Sequence, residues 1–158
     1  MNEIDPGDPG KSKLAWSDDL TVGNRIIDDD HKAFFEIAKM LHDSDGTEDR
    51  DLVVESAISI LEEYVCGHFL REEKAMRSAK YPRVAAHVLQ HNLFRGRIEA
   101  IGRVYRQGTK SVAVGLPDMA IDWLITHIKS DDAQYKGWIR ERDVDDRPLV
   151  YLAIEAEL

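Results

Sequence analysis

Along "VAAHVLQHNLFRGRIEAIGRVY", the residues Val84, His87, His91, Phe94, Ile98, Ile101 and Tyr105 recur every three or four positions. That spacing predicts an amphipathic helix with one face to be buried, and it puts two histidines on that face. A buried imidazole needs a partner at its ring nitrogens. Whatever packs here must therefore either hydrogen-bond both rings or offer something that both can bind.

Three other segments share the period. The first places Ile27, His31, Phe34, Ala38 and Leu41 on one face. It is expected to begin in the acidic run "DDDH", where carboxylates complement the positive end of a helix dipole, and to end in "HDSDGTED". The second is expected from about Thr47 to Ala79, with Val53, Ala57, Leu61, Tyr64, His68 and Glu72 facing inward. "YP" closes it, and Pro82 suits the first turn of the third helix, which stops at "QGTK" with Gly108 as its cap. The fourth lies in "LPDMAIDWLITHIKSDDAQY", with Leu116, Ala120, Leu124 and His127 on one face. Pro117 stands either in its first turn or at a kink, if the helix starts near Ser111. Ahead of the first helix, Trp16 and Val22 can pack on the helices, and Gly23 marks a turn. Short connections between long amphipathic helices imply antiparallel neighbours, so the expected fold is all-α, an up-down-up-down four-helix bundle.

The chain has 158 residues, enough for one domain with its own core. A net charge of −9 argues against binding to a phosphate backbone. Cys66 is the only cysteine, so no disulfide framework exists, and this suits a reducing compartment. As a free cysteine it is read as a small buried hydrophobe without a function. The N-terminus has no apolar signal core, and no stretch approaches the ~18 apolar residues that span a bilayer. The expectation is a soluble cytoplasmic protein with no nucleic acid or membrane as partner. It would consist of a flexible arm over residues 1–13, a bundle over 14–136 and an extension over 137–158.

Of the six histidines, His31, His68, His87, His91 and His127 fall on inward seams, and His42 is assigned to the surface. Glu72 stands one turn after His68, on the same face. Each residue alone has an ordinary reading as a hydrogen-bonded core group or an ion pair. Together, so many buried polar groups would cost on the order of several kcal/mol without a shared partner. A metal centre is such a partner. Imidazole with carboxylate in a bundle points to iron rather than structural zinc, and the number of ligands suits two ions.

The segments "IDDDHKAFF", "HFLREEKAM", "YPRVAAHVLQH" and "WLITHIKSDDAQY" together resemble the hemerythrin family, in its bacterial single-domain branch, over roughly residues 14–136. The resemblance implies His87, His91 and His127 on one iron and His31 and His68 on the other. Glu72 and an aspartate after His127 would bridge them, with an oxo or hydroxo group between the ions. The family uses the acid five residues on, Asp132, followed by the tyrosine of "DAQY". Regular helix geometry favours Asp131, and Asp132 requires a widening of the π-bulge kind.

By the same resemblance, the chain would bind O2 reversibly for storage, delivery or sensing, would accept NO or small anions such as azide, and would be a monomer rather than an enzyme. Five neutral imidazoles with only two carboxylates favour the ferrous pair and the return of O2 intact. The alternative is a diiron redox enzyme of the peroxidase, oxidase or nitric-oxide reductase type. Phe69, Trp123 and Leu124 are the candidate apolar lining of the O2 site. Tyr64 and Glu73 are candidates to hydrogen-bond ligands, although a solvated helix face explains Glu73 equally well. Beyond Tyr135 the resemblance fades. "LVYLAI" reads as a strand, a helix, a flap on the bundle or a docking segment for a protein partner, with Trp138 as its anchor.

Overall fold

The computed structural model describes residues 14–158; the expected flexible arm, 1–13, lies outside the described residues. Four long helices are present: α1 over Arg25–Asp43, α2 over Arg50–Ser78, α3 over Val84–Arg106 and α4 over Leu116–His127. α4 runs on through a π-helical turn, Ile128–Asp132, into a last turn, Ala133–Tyr135. A fifth helix, α5, spans Leu149–Ala156, and the described residues form no strand. His31 stands early in α1 and His87 early in α3, whereas His68 is late in α2 and His127 ends α4. All four meet at one end, so the helices run alternately up and down.

α1 begins at Arg25, before the acidic run. The Asn24 side chain accepts hydrogen bonds from the backbone N–H groups of Ile26 and Ile27 at 3.0 and 3.1 Å, a cap that contributes about 1 kcal/mol. The run itself is divided among three environments. Asp28 accepts from Thr21 Oγ1 at 2.5 Å and Val22 N at 2.9 Å, pinning the entry loop. Asp29 is exposed beside Arg25 and Lys32. Asp30 points inward.

α2 starts at Arg50 rather than Thr47, because the Ser44 and Thr47 hydroxyls bond back to the carbonyls of Leu41 and Ser44, both at 2.7 Å, and hold turns instead. Pro82 lies in the turn before α3, which begins at Val84. Gly108 follows the end of α3 with a φ of 107°, the left-handed position that glycine supplies at a helix C-terminus. Pro117 occupies the first turn of α4, and Lys110–Ala113 forms a separate 3₁₀ turn.

The expected seams of α1 and α4 are buried throughout. Each buried Leu, Ile or Phe contributes about 1.5–3 kcal/mol. In α2 the phase differs by one residue in two places: Val54 and Val65 are buried, while Val53 and Tyr64 are half-buried. Val65 lines an apolar cavity among the helices with Phe34 and Leu124, and Val54 lies beside Leu41, Ala113 and Pro117, so at each place the second of two adjacent apolar residues takes the inward position. In α3, Val84 and Ile101 are likewise only half-buried. His42 is half-buried rather than on the surface, and Cys66 is half-buried rather than enclosed.

Within the extension, "LVYLAI" is helical and lies along α2, with Leu152 and Ala153 inward and Val150, Tyr151 and Ile154 exposed. Trp138, the expected anchor, stays 47% exposed and meets Tyr81 edge-on at 6.0 Å. Leu152, which is fully buried, holds the segment instead.

Candidate metal centre

Glu72 and Asp132, both fully buried, lie across the middle of five imidazoles. Glu72 Oε1 is 2.8 Å from His68 Nε2 and 3.2 Å from His31 Nε2. Its Oε2 is 3.2 Å from His87 Nε2 and 3.3 Å from His91 Nε2. Asp132 repeats the arrangement: Oδ2 is 3.3 Å from His31 Nε2, and Oδ1 is 3.2 and 3.1 Å from the Nε2 atoms of His87 and His127. Each carboxylate thus turns one oxygen toward the His31 side and the other toward the His87, His91 and His127 side. Two groups with donor atoms close enough to share an ion result: Glu72, His87, His91 and His127; and His31, His68 and Glu72.

The outer nitrogens define what the inner ones can do. Nδ1 of His68 lies 3.0 Å from Asp30 Oδ2, Nδ1 of His91 3.0 Å from Glu73 Oε1, and Nδ1 of His127 3.0 Å from Asp131 Oδ2. An ionised carboxylate only accepts, so each Nδ1 carries the proton and each neutral ring turns an Nε2 lone pair inward. Those lone pairs are crowded: His31 and His68 face each other Nε2 to Nε2 at 3.1 Å, as do His91 and His127. Among the described residues, neither Asp132 oxygen, nor His31 Nδ1, nor the Tyr135 hydroxyl has a hydrogen bond. Acceptors converging on acceptors, with orphaned buried oxygens, require a cation. The donor set, all nitrogen and oxygen, fits a divalent transition metal on each side.

Protons take the cationic role in the metal-free chain. Burial opposes charge on His68, but the Glu72 and Asp30 carboxylates outweigh it and push the ring up to about 10. His87 is also penalised by burial and is pushed up to about 10 by Asp132 and Glu72. His31 is raised in the same way, against burial, by Asp132 and Glu72. Burial works against ionisation of Glu72 too, yet His68 and its neighbours hold it well below the usual carboxylate range. Asp132 is lowered by its histidines in spite of burial and of Glu72. Tyr135 is held protonated, first by burial and then by the two carboxylates.

Aromatic rings wall one side. Phe69 stacks on His91 with centroids 3.8 Å apart, Trp123 stacks on His127 at 4.4 Å, and Phe94 stacks on Trp123 at 3.9 Å. Beyond them lies an apolar cavity of about 20 Å³, whose lining includes Phe34, Leu61, Phe69, Trp123 and Leu124.

Asp132, not Asp131, turns into the cluster, and the π-helical turn is where the pattern required it. Glu73 meets His91, whereas Tyr64 packs edge-on against Phe34. Sequence reasoning missed Asp30, read there as a dipole partner, and Arg71. The one available signal for Arg71 was a lone cation three residues after a core histidine, on the same helix face.

Residues 22–139 match the family model described as the hemerythrin HHE cation binding domain. A bacteriohemerythrin of Pseudomonas paraeruginosa is 35% identical over 127 residues, covering 80% of this chain and 82% of that protein. One from Methylococcus capsulatus is 31% identical over 110 residues, covering 70% and 83%. Myohemerythrin-1 of Phascolopsis gouldii is 31% identical over 122 residues, covering 77% and 91%. A cluster built to share cations and a match spanning the whole bundle agree: the chain belongs to the hemerythrin family.

Proposed function

We propose that this chain binds O2 reversibly at a pair of non-haem iron ions held by His31, His68, Glu72, His87, His91, His127 and Asp132. The observation that supports it most is the paired orientation of Glu72 and Asp132, each with one oxygen toward each group of imidazoles. Five imidazoles and two shared carboxylates would fill nine of the twelve positions of two six-coordinate ions, and an oxo or hydroxo group shared by the ions would take two more, leaving one for a ligand. The iron pair would supply two electrons to O2 and take them back on release.

The protein's own part is to orient and to exclude. Asp30, Glu73 and Asp131 hold three rings by Nδ1, so that Nε2 stays aimed inward. Phe69, Trp123 and Leu124 keep water and its protons away from one side of the site, and the apolar cavity behind them can store a small nonpolar molecule. Five neutral imidazoles against two shared carboxylates would put little negative charge directly on the ions, which favours ferrous iron. No helix among the described residues is long and apolar enough to cross a membrane, and the single cysteine suits a reducing cytoplasm, where we place the protein. Storage and delivery to an oxygen-consuming enzyme are the roles this chemistry fits.

A second reading, a diiron redox enzyme, is favoured by one feature. An open pocket of about 140 Å³ lined by Tyr81, Arg83, His87, Gln90 and Asp131 reaches the edge of the cluster, with room for a small polar co-substrate. One experiment separates the two readings. The metal-free protein is loaded anaerobically with ferrous iron, O2 is admitted, the visible spectrum is recorded, and argon is then passed. A pink-violet band that fades on purging is the expected result. Irreversible conversion to a yellow diferric form, with consumption of a co-substrate, overturns the binding reading in favour of the enzyme.

A further inference from the structure

A buried polar line runs from the C-terminal segment to His68. We propose that α5 and the residues leading into it act as a positioning arm for the metal centre, holding the His68 ring in its ligating orientation through Arg71 and Asp30. The proposal rests on the metal reading above and adds to it a role for the extension, outside the residues that contact the ions.

Arg71 is the pivot. It is 2% exposed, and its Nε donates to Asp30 Oδ2 at 2.7 Å while Nη2 approaches Oδ1 at 3.4 Å. The same Asp30 Oδ2 accepts from His68 Nδ1 at 3.0 Å. On its other side, Arg71 Nη1 donates to the carbonyl of Arg147 at 2.9 Å and to that of Asp145. A guanidinium has five donors in a rigid plane, so fixing one edge on the extension fixes the other edge on Asp30. Asp30 in turn shares one oxygen between Arg71 and the ring. Without the two carbonyls, a buried cation would lose partners on one edge and be free to swing toward water.

Independent features seat the arm. Lys74 Nζ, on α2, meets Asp145 Oδ2 at 2.8 Å and Glu155 Oε1 at 3.4 Å, and within the arm Arg147 Nη2 ties Asp145 Oδ2 to Glu155 Oε2, both at 2.7 Å. Gly67 precedes His68, and α5 crosses α2 there so closely that a Cβ at Gly67 would lie 2.8 Å from the Leu149 carbonyl oxygen and 3.0 Å from Ala153 N. Glycine in the interior of a helix is unfavourable, so its presence next to His68 is explained by the backbone laid against it rather than by α2 itself.

Two substitutions in the full chain test the arm. Gly67→Ala improves the helix propensity of α2 while displacing α5, so any loss cannot come from weakening α2. Arg71→Lys keeps the charge and removes the planar fork. In the metal-free protein, exchange of the His68 Nδ1 proton with water is followed by nitrogen-edited NMR, and ferrous-ion affinity is measured by titration. The expected result in both variants is exchange faster by about tenfold or more and affinity lower by about 10–100-fold. Arg106→Ala, which breaks a pair with Glu62 at the far end of α3, should change neither. Wild-type exchange and affinity in both variants overturn the proposal, including when the melting temperature falls, since that outcome assigns the extension to stability alone. If the wild-type chain takes up no iron pair but the proton exchanges faster in both variants, the metal reading fails and the arm stands.

Discussion

His127 and Asp132 are five positions apart on one helix, yet Nε2 of one lies 3.1 Å from Oδ1 of the other. A regular α-helix would have brought Asp131 to that place. The π-helical turn Ile128–Asp132 inserts the extra residue, and Asp131 instead takes the outer nitrogen of the same ring at 3.0 Å. Two adjacent aspartates therefore hold opposite edges of one imidazole.

This division predicts different losses. On the proposed two-iron reading, Asp132→Ala should reduce bound iron from two ions to about one per chain, because a shared carboxylate disappears. Asp131→Ala should keep both ions and weaken them by about 10–100-fold, the usual effect of removing a ligand's outer partner. Iron per chain and a ferrous titration measure both. Equal stoichiometric losses from the two variants would contradict the assignment.

The apolar wall makes a second prediction. Leu124, which is 4% exposed, lines the cavity. Leu124→Ala should destabilise the fold by about 2–5 kcal/mol and let water approach, so on the proposed O2-binding reading the O2 complex should decay to the oxidised form faster than in the unmodified protein. Denaturant unfolding gives the first quantity and the fading of the visible band the second. An unchanged decay rate would remove the wall from the function.

The titrating groups set a pH dependence. His68 and His87 are pushed up to about 10 in the metal-free chain, so iron must displace their protons, and its affinity should rise with pH toward that value. The same shifts act on folding. Stability from the raised histidines is fully present below their unfolded value of about 6.5 and is lost as pH climbs toward 10. That from the depressed Glu72 and Asp132 is present above about 4.5 and is lost as pH falls through their lowered values. Metal-free melting curves should therefore show these groups contributing most between about pH 4.5 and 6.5, and iron should broaden the plateau to higher pH. A flat metal-free profile from pH 6 to 10 would refute the sign.

Asn24 offers a contrast at a distance from the chemistry. Asn24→Ala should cost about 1 kcal/mol by removing the α1 cap, with iron stoichiometry unchanged. Loss of iron in this variant would mean that α1 transmits strain to His31.

Much of the arrangement was legible from residue order. The period of three and four placed five histidines on inward faces, and all five are buried, because burying an apolar stripe is what stabilises an amphipathic helix. Boundaries were less legible. The start of α1 was decided by a single side-chain cap at Asn24, and the start of α2 by two hydroxyl-held turns. The phase of α2 departs from its period at Val53 and Tyr64 because an apolar neighbour, Val54 or Val65, follows each and is buried in its place, and a local pattern does not choose between two adjacent apolar residues.

Residue order is enough to specify the four helices, their alternation, and which histidines can meet Glu72, since periodicity and short connections are local properties; for the second carboxylate the period alone favoured Asp131, and the π-helical turn brings in Asp132. Packing in three dimensions is what turns Asp30 to His68, buries Arg71 beneath the carbonyls of Asp145 and Arg147, and lays α5 on Gly67. Those pairings join residues 38 to 76 positions apart in the case of the hydrogen bonds. Their partners are a backbone carbonyl, a missing Cβ and one carboxylate among three in a row, none of which leaves a periodic mark in the chain.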